Sequence, residues 1–237
     1  MKKEKILITG GSGFVGTNLI SKLSRKKYDI FSLDIDDPKK IIDKIDYVAM
    51  DIRSKEIDNL IKKISPDIII HLAAQASVSI SSKNPQLDND INLNGSLNLF
   101  LSSINSNLKN FIFFSTGGAI YGEKIGKRFN ENDLARPLSP YGISKLNFEN
   151  YLNYFSSQKI SKSEITILRP SNIYGPWQNP NGEAGVVSIF ANKMLKNENV
   201  SIFGTGKEYR DYIYVDDVID FIFQVLNLGV TGTYNLS

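Results

Sequence analysis

The chain of 237 residues contains no cysteine. Disulfides, thiolate nucleophiles and thiolate zinc sites are excluded together. Long apolar runs are missing as well. No segment approaches the roughly 18 consecutive apolar residues of a membrane span. The opening "MKKEKILITGG" is basic, but its apolar stretch is too short for a signal peptide and glycines follow at once. A cytoplasmic protein without a membrane partner is the expectation. Neither sign of charge dominates: 28 basic residues face 25 acidic ones, for a net charge of +3. The only short basic runs are Lys2 to Lys5 and Arg25 to Lys27. That distribution reads as a solvated surface rather than a nucleic-acid patch. Internal repeats and low-complexity tracts are also absent. What remains is the composition of an ordinary globular domain, 41% hydrophobic and 22% charged. The length fits one large domain, or one plus part of a second.

Apolar runs alternate with segments of helical period. "KILIT", "YDIFSLD", "DYVAMD", "PDIIIHLAA", "NFIFFST" and "EITILRP" read as six strands, apolar nearly throughout. Helices are expected from Gly13 to about Arg25, from Ser54 (a plausible cap) to Ile64, over 86–104, and from Pro140 to Ser157. Buried strands separated by helices imply a parallel sheet covered on both faces. With right-handed crossovers this is an α/β, doubly wound (Rossmann) sheet. After Pro170 the texture changes. Residues 171–185, "SNIYGPWQNPNGEAG", predict a long functional loop. A helix from about Ala184 to Lys196 and another opened by Asp216 and Asp217 follow. The end, "GTYNLS", reads as a strand-to-loop transition. It predicts a chain that is truncated or ordered only this far.

The first strand runs into "ILITGGSGFVG". Two glycine fingerprints overlap there, G-x-G-x-x-G from Gly11 and T-G-x-x-G-x-x-G from Thr9. Either one is an anion site. A turn with little side-chain bulk brings backbone N–H groups and a helix N-terminus against a pyrophosphate. Asp34 closes the second strand, 18 residues after Gly16. An acid there accepts hydrogen bonds from the adenosine ribose and repels a 2′-phosphate, and Asp36 and Asp37 reinforce the repulsion. NAD is therefore preferred to NADP, with Lys39 and Lys40 as the opposing charges.

"SPYGISK" sets Tyr141 and Lys145 four residues apart at a helix start, on one face. A phenol titrates near 10 in water. Beside an ammonium group its anion is favoured, so Tyr141 is a candidate base. His71 ends the fourth strand, where packing is a stronger reading than catalysis.

Taken with "HLAAQASV", "NLNGSLNL", "STGGAIYGE", "RPSNIYGP" and "YRDYIYVDDV", these blocks run along nearly the whole chain. In them the chain resembles the extended short-chain dehydrogenase/reductases of the nucleotide-sugar epimerase/dehydratase family, most of all the UDP-glucose 4-epimerases. The resemblance implies NAD as cofactor. It assigns the pyrophosphate to Gly10, Gly13, Phe14, Val15 and Gly16, the adenosine ribose to Asp34, and the adenine to Asp51 and Ile52. Leu72, Ala73, Ala74, Asn92, Ser115 and Pro170 fall on the cofactor side. Tyr141 matches the base and Lys145 the residue that activates it. Asn172, Val186, Phe203 and Arg210 match positions that hold the substrate nucleotide. In this register Gly11 becomes a spacer.

One departure stands out. The family carries Ser or Thr four residues before the Tyr of "YG". Here that position is Gly117, and the nearest hydroxyl belongs to Thr116. Gly118 and Ala119 stand where 4,6-dehydratases carry an Asp-Glu pair, which favours epimerisation. The resemblance thus implies 4-epimerisation of a UDP-hexose through a 4-keto sugar. A reductase, an epimerase for uronates or N-acetylhexosamines, and a non-catalytic NAD-binding protein stay open. Residues 1–169 and 211–237 form the expected cofactor domain and 170–210 part of the substrate lobe. The apolar helices near 86–104 and 140–157 match the family's subunit seam. Phe148, Tyr151, Leu152 and Phe155 would serve it in a homodimer, or else pack in the protein's own core.

Overall fold

The computed structural model describes residues 3–26, 28–122, 128–180, 185–202, 204–206 and 209–237. In chain order they form β1 (Glu4–Thr9), α1 (Phe14–Leu23), β2 (Tyr28–Asp34), β3 (Ile45–Ala49), α2 (Ile57–Ile64), β4 (Ile68–His71), α3 (Val78–Lys83) and α4 (Pro85–Asn89). A π-helical turn over Asp90–Gly95 leads into α5 (Ser96–Ser103), β5 (Asn110–Phe114), α6 (Gly117–Ile120), α7 (Pro140–Ser157), β6 (Glu164–Pro170) and β7 (Asn172–Tyr174). Then come α8 (Val186–Leu195), β8 (Tyr212–Tyr214), α9 (Val215–Leu228) and β9 (Gly232–Leu236).

Seven strands make one parallel sheet in the order β3-β2-β1-β4-β5-β6-β9. This is the doubly wound architecture expected from the alternation of strands and helices. Successive side chains of a strand point to opposite faces, so β1 feeds two cores. Ile6 and Ile8 pack with Leu19, Leu23, Val218 and Ile222 of α1 and α9. Leu7 packs on the other face with Ile57, Ile61, Phe100, Phe111, Phe113, Phe148 and Leu152. Strand order reverses between β1 and β4. Beyond their carboxyl ends lies the crevice where such sheets bind ligands.

The structure departs from the sequence expectations in four places. The helix expected from Ser54 begins at Ile57, because the Ser54 hydroxyl accepts from the Glu56 N–H in a preceding turn. The helix expected over 86–104 is interrupted by the π turn. The 171–185 loop contains β7, which pairs in parallel with β8. "GTYNLS" becomes β9 and completes the main sheet against β6.

Phe148 and Leu152, expected at a subunit seam, are fully buried among core aromatics. Phe148 lies edge-on to Phe113 at 4.7 Å between ring centroids. Phe155 is partly buried and packs on Phe100. Of the four seam candidates, Tyr151 is the one that faces outward.

Candidate active site

The glycine turn leaves β1 with Gly10 at φ +73°, a conformation that glycine adopts without strain. A Cβ there would stand 2.6 Å from the Ala73 nitrogen, so the turn lies flat against the loop that follows β4. Gly11 is more than a spacer. A Cβ on it would meet the Ser32 hydroxyl at 2.1 Å. Gly13 caps α1, which has no side-chain cap and no acid in its first turn. The first N–H groups of a helix lack intrahelical partners, and here Phe14, Val15 and Gly16 carry them beside the turn. A bound anion is the natural complement.

Asp34 lies at the edge of this crevice. Its carboxylate accepts backbone N–H groups from Ser12 (2.9 Å), Ile35 (2.8 Å) and Asp36 (3.1 Å). These bonds fix the acid at the mouth of the glycine turn. Lys39 donates to the Trp177 carbonyl at 3.1 Å, so one of the two lysines that opposed an NAD preference is already engaged. Asp51 is gripped by Arg53 through Nε, at 3.0 and 3.1 Å, and through Nη2 at 2.6 Å. That contact holds its carboxyl below the usual carboxylate range, and Arg53 also reaches Asp90 at 2.9 Å. Ile52 is buried against Gly95 of the π turn. Leu72 and Ala73 hang from Thr9 by N–H bonds of 3.0 and 3.3 Å. Ala74 continues the same partly exposed wall. These residues fit a dinucleotide: a close-approach turn, an uncapped helix start, an acid fixed at the second strand's end, and a small-residue wall.

Asn92 is buried in the π turn. Its amide accepts from the Gln75 N–H at 2.8 Å and donates to the Gln75 carbonyl, Asp88 and Ser144. It acts on the cofactor-side loop by holding that loop's backbone. π turns recur at functional sites.

Tyr141 sits in the first turn of α7, behind the Ser139 cap and Pro140. The Thr116 hydroxyl, at the start of α6, acts on its phenol in the direction that favours the anion. Lys145 lies one turn further on, buried, with Nζ 4.4 Å from the centroid of the Phe113 ring. Burial raises the phenol to about 12, Thr116 opposes the rise, and Asp88 adds to it. Burial also lowers Lys145 to about 7, opposed by Glu149 and Asp88. Proximity of an ammonium group predicted a readily ionised phenol. Without ligand, desolvation outweighs it, and both groups lean towards neutrality.

Gly117 and Gly118 differ sharply. A Cβ on Gly117 would come 2.8 Å from the Arg169 carbonyl and 3.2 Å from that of Pro170. One on Gly118 would make only ordinary van der Waals contacts, with Asn172 Oδ1 at 3.8 Å, Asn172 Nδ2 at 4.0 Å and Thr116 Oγ1 at 4.0 Å. Thr116, Asn172 and Pro170 thus gather around the same short α6 segment. Ser115 is buried beside them, and its hydroxyl has no hydrogen-bond partner among the described residues. Asn172 donates to the Asp211 carbonyl at 2.8 Å, which brings Arg210 to the neighbourhood of β7. Arg210 itself is exposed and bonds the Tyr209 carbonyl. Val186 opens α8 and is also exposed. Phe203 lies outside the described residues.

His71 is fully buried between the Thr9 hydroxyl (2.7 Å) and the Ser96 hydroxyl (2.8 Å). Burial pulls it down to about 3, so it is a neutral packed histidine. The sequence reading missed the polar groups beneath the site: Asp88, Gln75, Ser144, Glu149 and Arg169. Their type and spacing are those of surface residues, and the one signal was an acid near the middle of an otherwise apolar helical pattern.

Residues 6–237 match the family model described as "NAD dependent epimerase/dehydratase family". A provisionally named UDP-glucose 4-epimerase of Methanocaldococcus jannaschii is 41% identical over 225 residues, 94% of this chain and 73% of its own. The chain belongs to this family. NAD is the cofactor that its membership brings. Among solved structures, the UDP-glucose 4-epimerase of Thermus thermophilus in complex with NAD matches with a TM-score of 0.91 and 37% identity, over 98% of this chain and 77% of that one. The UDP-glucose 4-epimerase of Thermotoga maritima, solved with UDP-glucose, matches with 0.90 and 41%, over 98% and 76%. Family membership agrees with the fold and with the crevice at the strand-order reversal. Among the described residues no helix is long and apolar enough to cross a membrane, and no cluster of acids and histidine is set to hold a metal ion.

Proposed function

We propose that the protein interconverts the C4 epimers of a UDP-hexose, of the UDP-glucose/UDP-galactose type, with Tyr141 as base. The observation that carries this reading is the placement of Tyr141 and Lys145 one turn apart at the start of α7, with the Thr116 hydroxyl favouring the ionised phenol. NAD, when bound, would supply reversible hydride transfer at the sugar. The chain's own residues do the rest. The glycine turn and the start of α1 hold the diphosphate, Asp34 the adenosine ribose, and Asp51 with Ile52 the adenine. Leu72, Ala73, Ala74 and Pro170 line the wall, and Ser115 offers its buried hydroxyl at the end of β5. Lys145 lowers the cost of ionising Tyr141. The Tyr141 phenolate takes the proton of the sugar 4-hydroxyl and later gives it back.

Thr116 donates to the phenolate or to the sugar hydroxyl, the role that family members give to the residue at position 117. Asn172, Val186, Phe203 and Arg210 are assigned to the nucleotide of the substrate, with the guanidinium on its diphosphate. Gly118 and Ala119 offer no carboxyl for elimination, which favours epimerisation over dehydration. Residues 1–169 and 211–237 serve the cofactor, and 170–210 belong to the substrate lobe. The test is conversion of UDP-galactose, alongside UDP-uronates and UDP-N-acetylhexosamines, by the parent and by Tyr141→Phe. Undiminished turnover in the variant would remove Tyr141 from the mechanism. Conversion of another sugar alone would move the substrate assignment.

We also infer a homodimer formed through α7. Ile143, Tyr151 and Tyr154 are exposed along that helix, and Leu87 and Leu101 are exposed on α4 and α5, of which α4 packs directly on it. A monomer by light scattering at micromolar concentration would rule the dimer out.

A further inference from the structure

Asp88 has no counterpart among the residues assigned so far. It lies in α4 and is fully buried. Among the described residues its carboxylate is met by neutral donors: Ser144 Oγ at 2.7 Å on one oxygen, Gln75 Nε2 at 2.8 Å and Asn92 Nδ2 at 3.0 Å on the other. A buried carboxylate is costly unless hydrogen-bonded, and these three bonds meet that cost without neutralising the charge. The donors come from three places that the site depends on. Ser144 adjoins Lys145 on α7, Asn92 belongs to the π turn, and Gln75 to the loop that continues the cofactor wall. The same Gln75 side chain accepts the Ser77 N–H at 2.6 Å, and Asn92 brackets the Gln75 backbone.

The charges around Lys145 differ in how far they are already spent. On its own helix it meets Tyr141 and Glu149. Glu149 is held by the Arg169 guanidinium from β6, with Nη2 at 2.5 Å and Nε at 3.0 and 3.2 Å. His71 on β4 is neutral. β5 contributes the face of Phe113. Asp88 on α4 is the buried anion within Coulombic range whose charge no cation shares among the described residues.

We propose that Asp88 is a positioning residue of the epimerase reaction. It ties the helix carrying Tyr141 and Lys145 to the cofactor-side loop and sets a fixed negative charge near Lys145 that opposes the loss of its proton. This rests on the reading of Tyr141 and Lys145 as base and activator.

The test is an NMR titration of lysine labelled at the ε-carbon, in the NAD-loaded protein, with Lys145→Met identifying the resonance. Asp88→Asn preserves shape and removes charge. The Lys145 resonance then titrates about one pH unit or more lower. Ser144→Ala removes one hydrogen bond and leaves the charge, and its titration stays within about half a unit of the parent's. Asp88→Ser makes the same prediction as the amide if the amide variant does not fold. An unmoved resonance in both neutral variants overturns the proposal, as does an equal shift in Ser144→Ala. In turnover, Asp88→Asn lowers kcat at least about tenfold while KM changes less than about twofold, and the high-pH limb of the kcat profile moves to lower pH. The titration needs no turnover, so it reads Asp88 even if Tyr141→Phe disproves the assigned reaction.

Discussion

Gly117 stands where related enzymes place a hydroxyl, and Gly117→Ser is the substitution that would restore it on paper. The structure argues for the opposite result. A Cβ at this position comes 2.8 Å from the Arg169 carbonyl, 3.2 Å from the Pro170 carbonyl and 3.4 Å from the Pro170 carbonyl carbon. These atoms are backbone at the end of β6, which is clamped by its pairing with β5 and by the Arg169 fork on Glu149 and Tyr121. They have little room to retreat. Overpacking of this kind costs about 1–3 kcal/mol. At this chain length each kcal/mol lowers Tm by roughly 2–4 °C, so a fall of roughly 2–12 °C is expected. Gly118→Ser is the control. Its Cβ has 3.8 Å or more of clearance, and its stability should stay within about 0.5 kcal/mol of the parent. Epimerase turnover should fall in Gly117→Ser as α6 is pushed from Thr116 and Tyr141. Thr116→Ala should by itself cost roughly 10- to 100-fold, the worth of a hydrogen bond to a charged group. Differential scanning calorimetry with a turnover assay on all three variants decides the matter. A Gly117→Ser protein with parental Tm and raised turnover would show that the hydroxyl belongs at 117 and that Thr116 is not its substitute.

Gly10→Ala forces a left-handed alanine, costing roughly 1–2 kcal/mol, and sets its methyl 2.6 Å from the Ala73 nitrogen; NAD affinity by calorimetric titration should be lost, and parental affinity would contradict the geometry. His71 titrates at about 3 when folded and near 6.5 when unfolded, so the unfolded chain binds the extra proton between these values. Stability is then flat above pH 6.5 and lost at about 1.4 kcal/mol per pH unit as pH falls towards 3, and urea midpoints of His71→Asn should show a shallower slope over that window. Lys145, lowered to about 7, leaves the unfolded chain binding more protons from 7 to 10.5. Its burial therefore costs stability most fully below pH 7, and the parent should gain stability as pH rises through that window. Lys145→Met should abolish turnover and raise the urea midpoint at pH 7; a less stable variant would mean that the ammonium is better compensated than its surroundings imply.

The frame of this molecule was legible because periodicity speaks directly to it. Six of the seven strands of the sheet were visible as apolar runs, and α7 begins and ends where its Pro140 and its polar tail predict. β9 was not, since "GTYNLS" has no apolar run of its own and becomes a strand only through β6. The juxtaposition of Tyr141 and Lys145 was legible through spacing, since it needs nothing but a helical turn between them. Thr116 was ambiguous for a steric reason. A one-residue offset in sequence cannot reveal that the Arg169 and Pro170 carbonyls close the space beside Gly117 and leave Thr116 against the phenol.

The layer beneath was hidden for a different reason. Asp88 and Asn92 are one helical turn apart, but Ser144 lies 52 residues beyond Asn92, so nothing local joins it to them. They meet because α4, the π turn and α7 pack together. Asn92 lies buried in the π turn, where it bonds Asp88 and the Gln75 backbone. The cost of burying a carboxylate is the physical reason that donors from the cofactor-side loop, the π turn and α7 converge on Asp88.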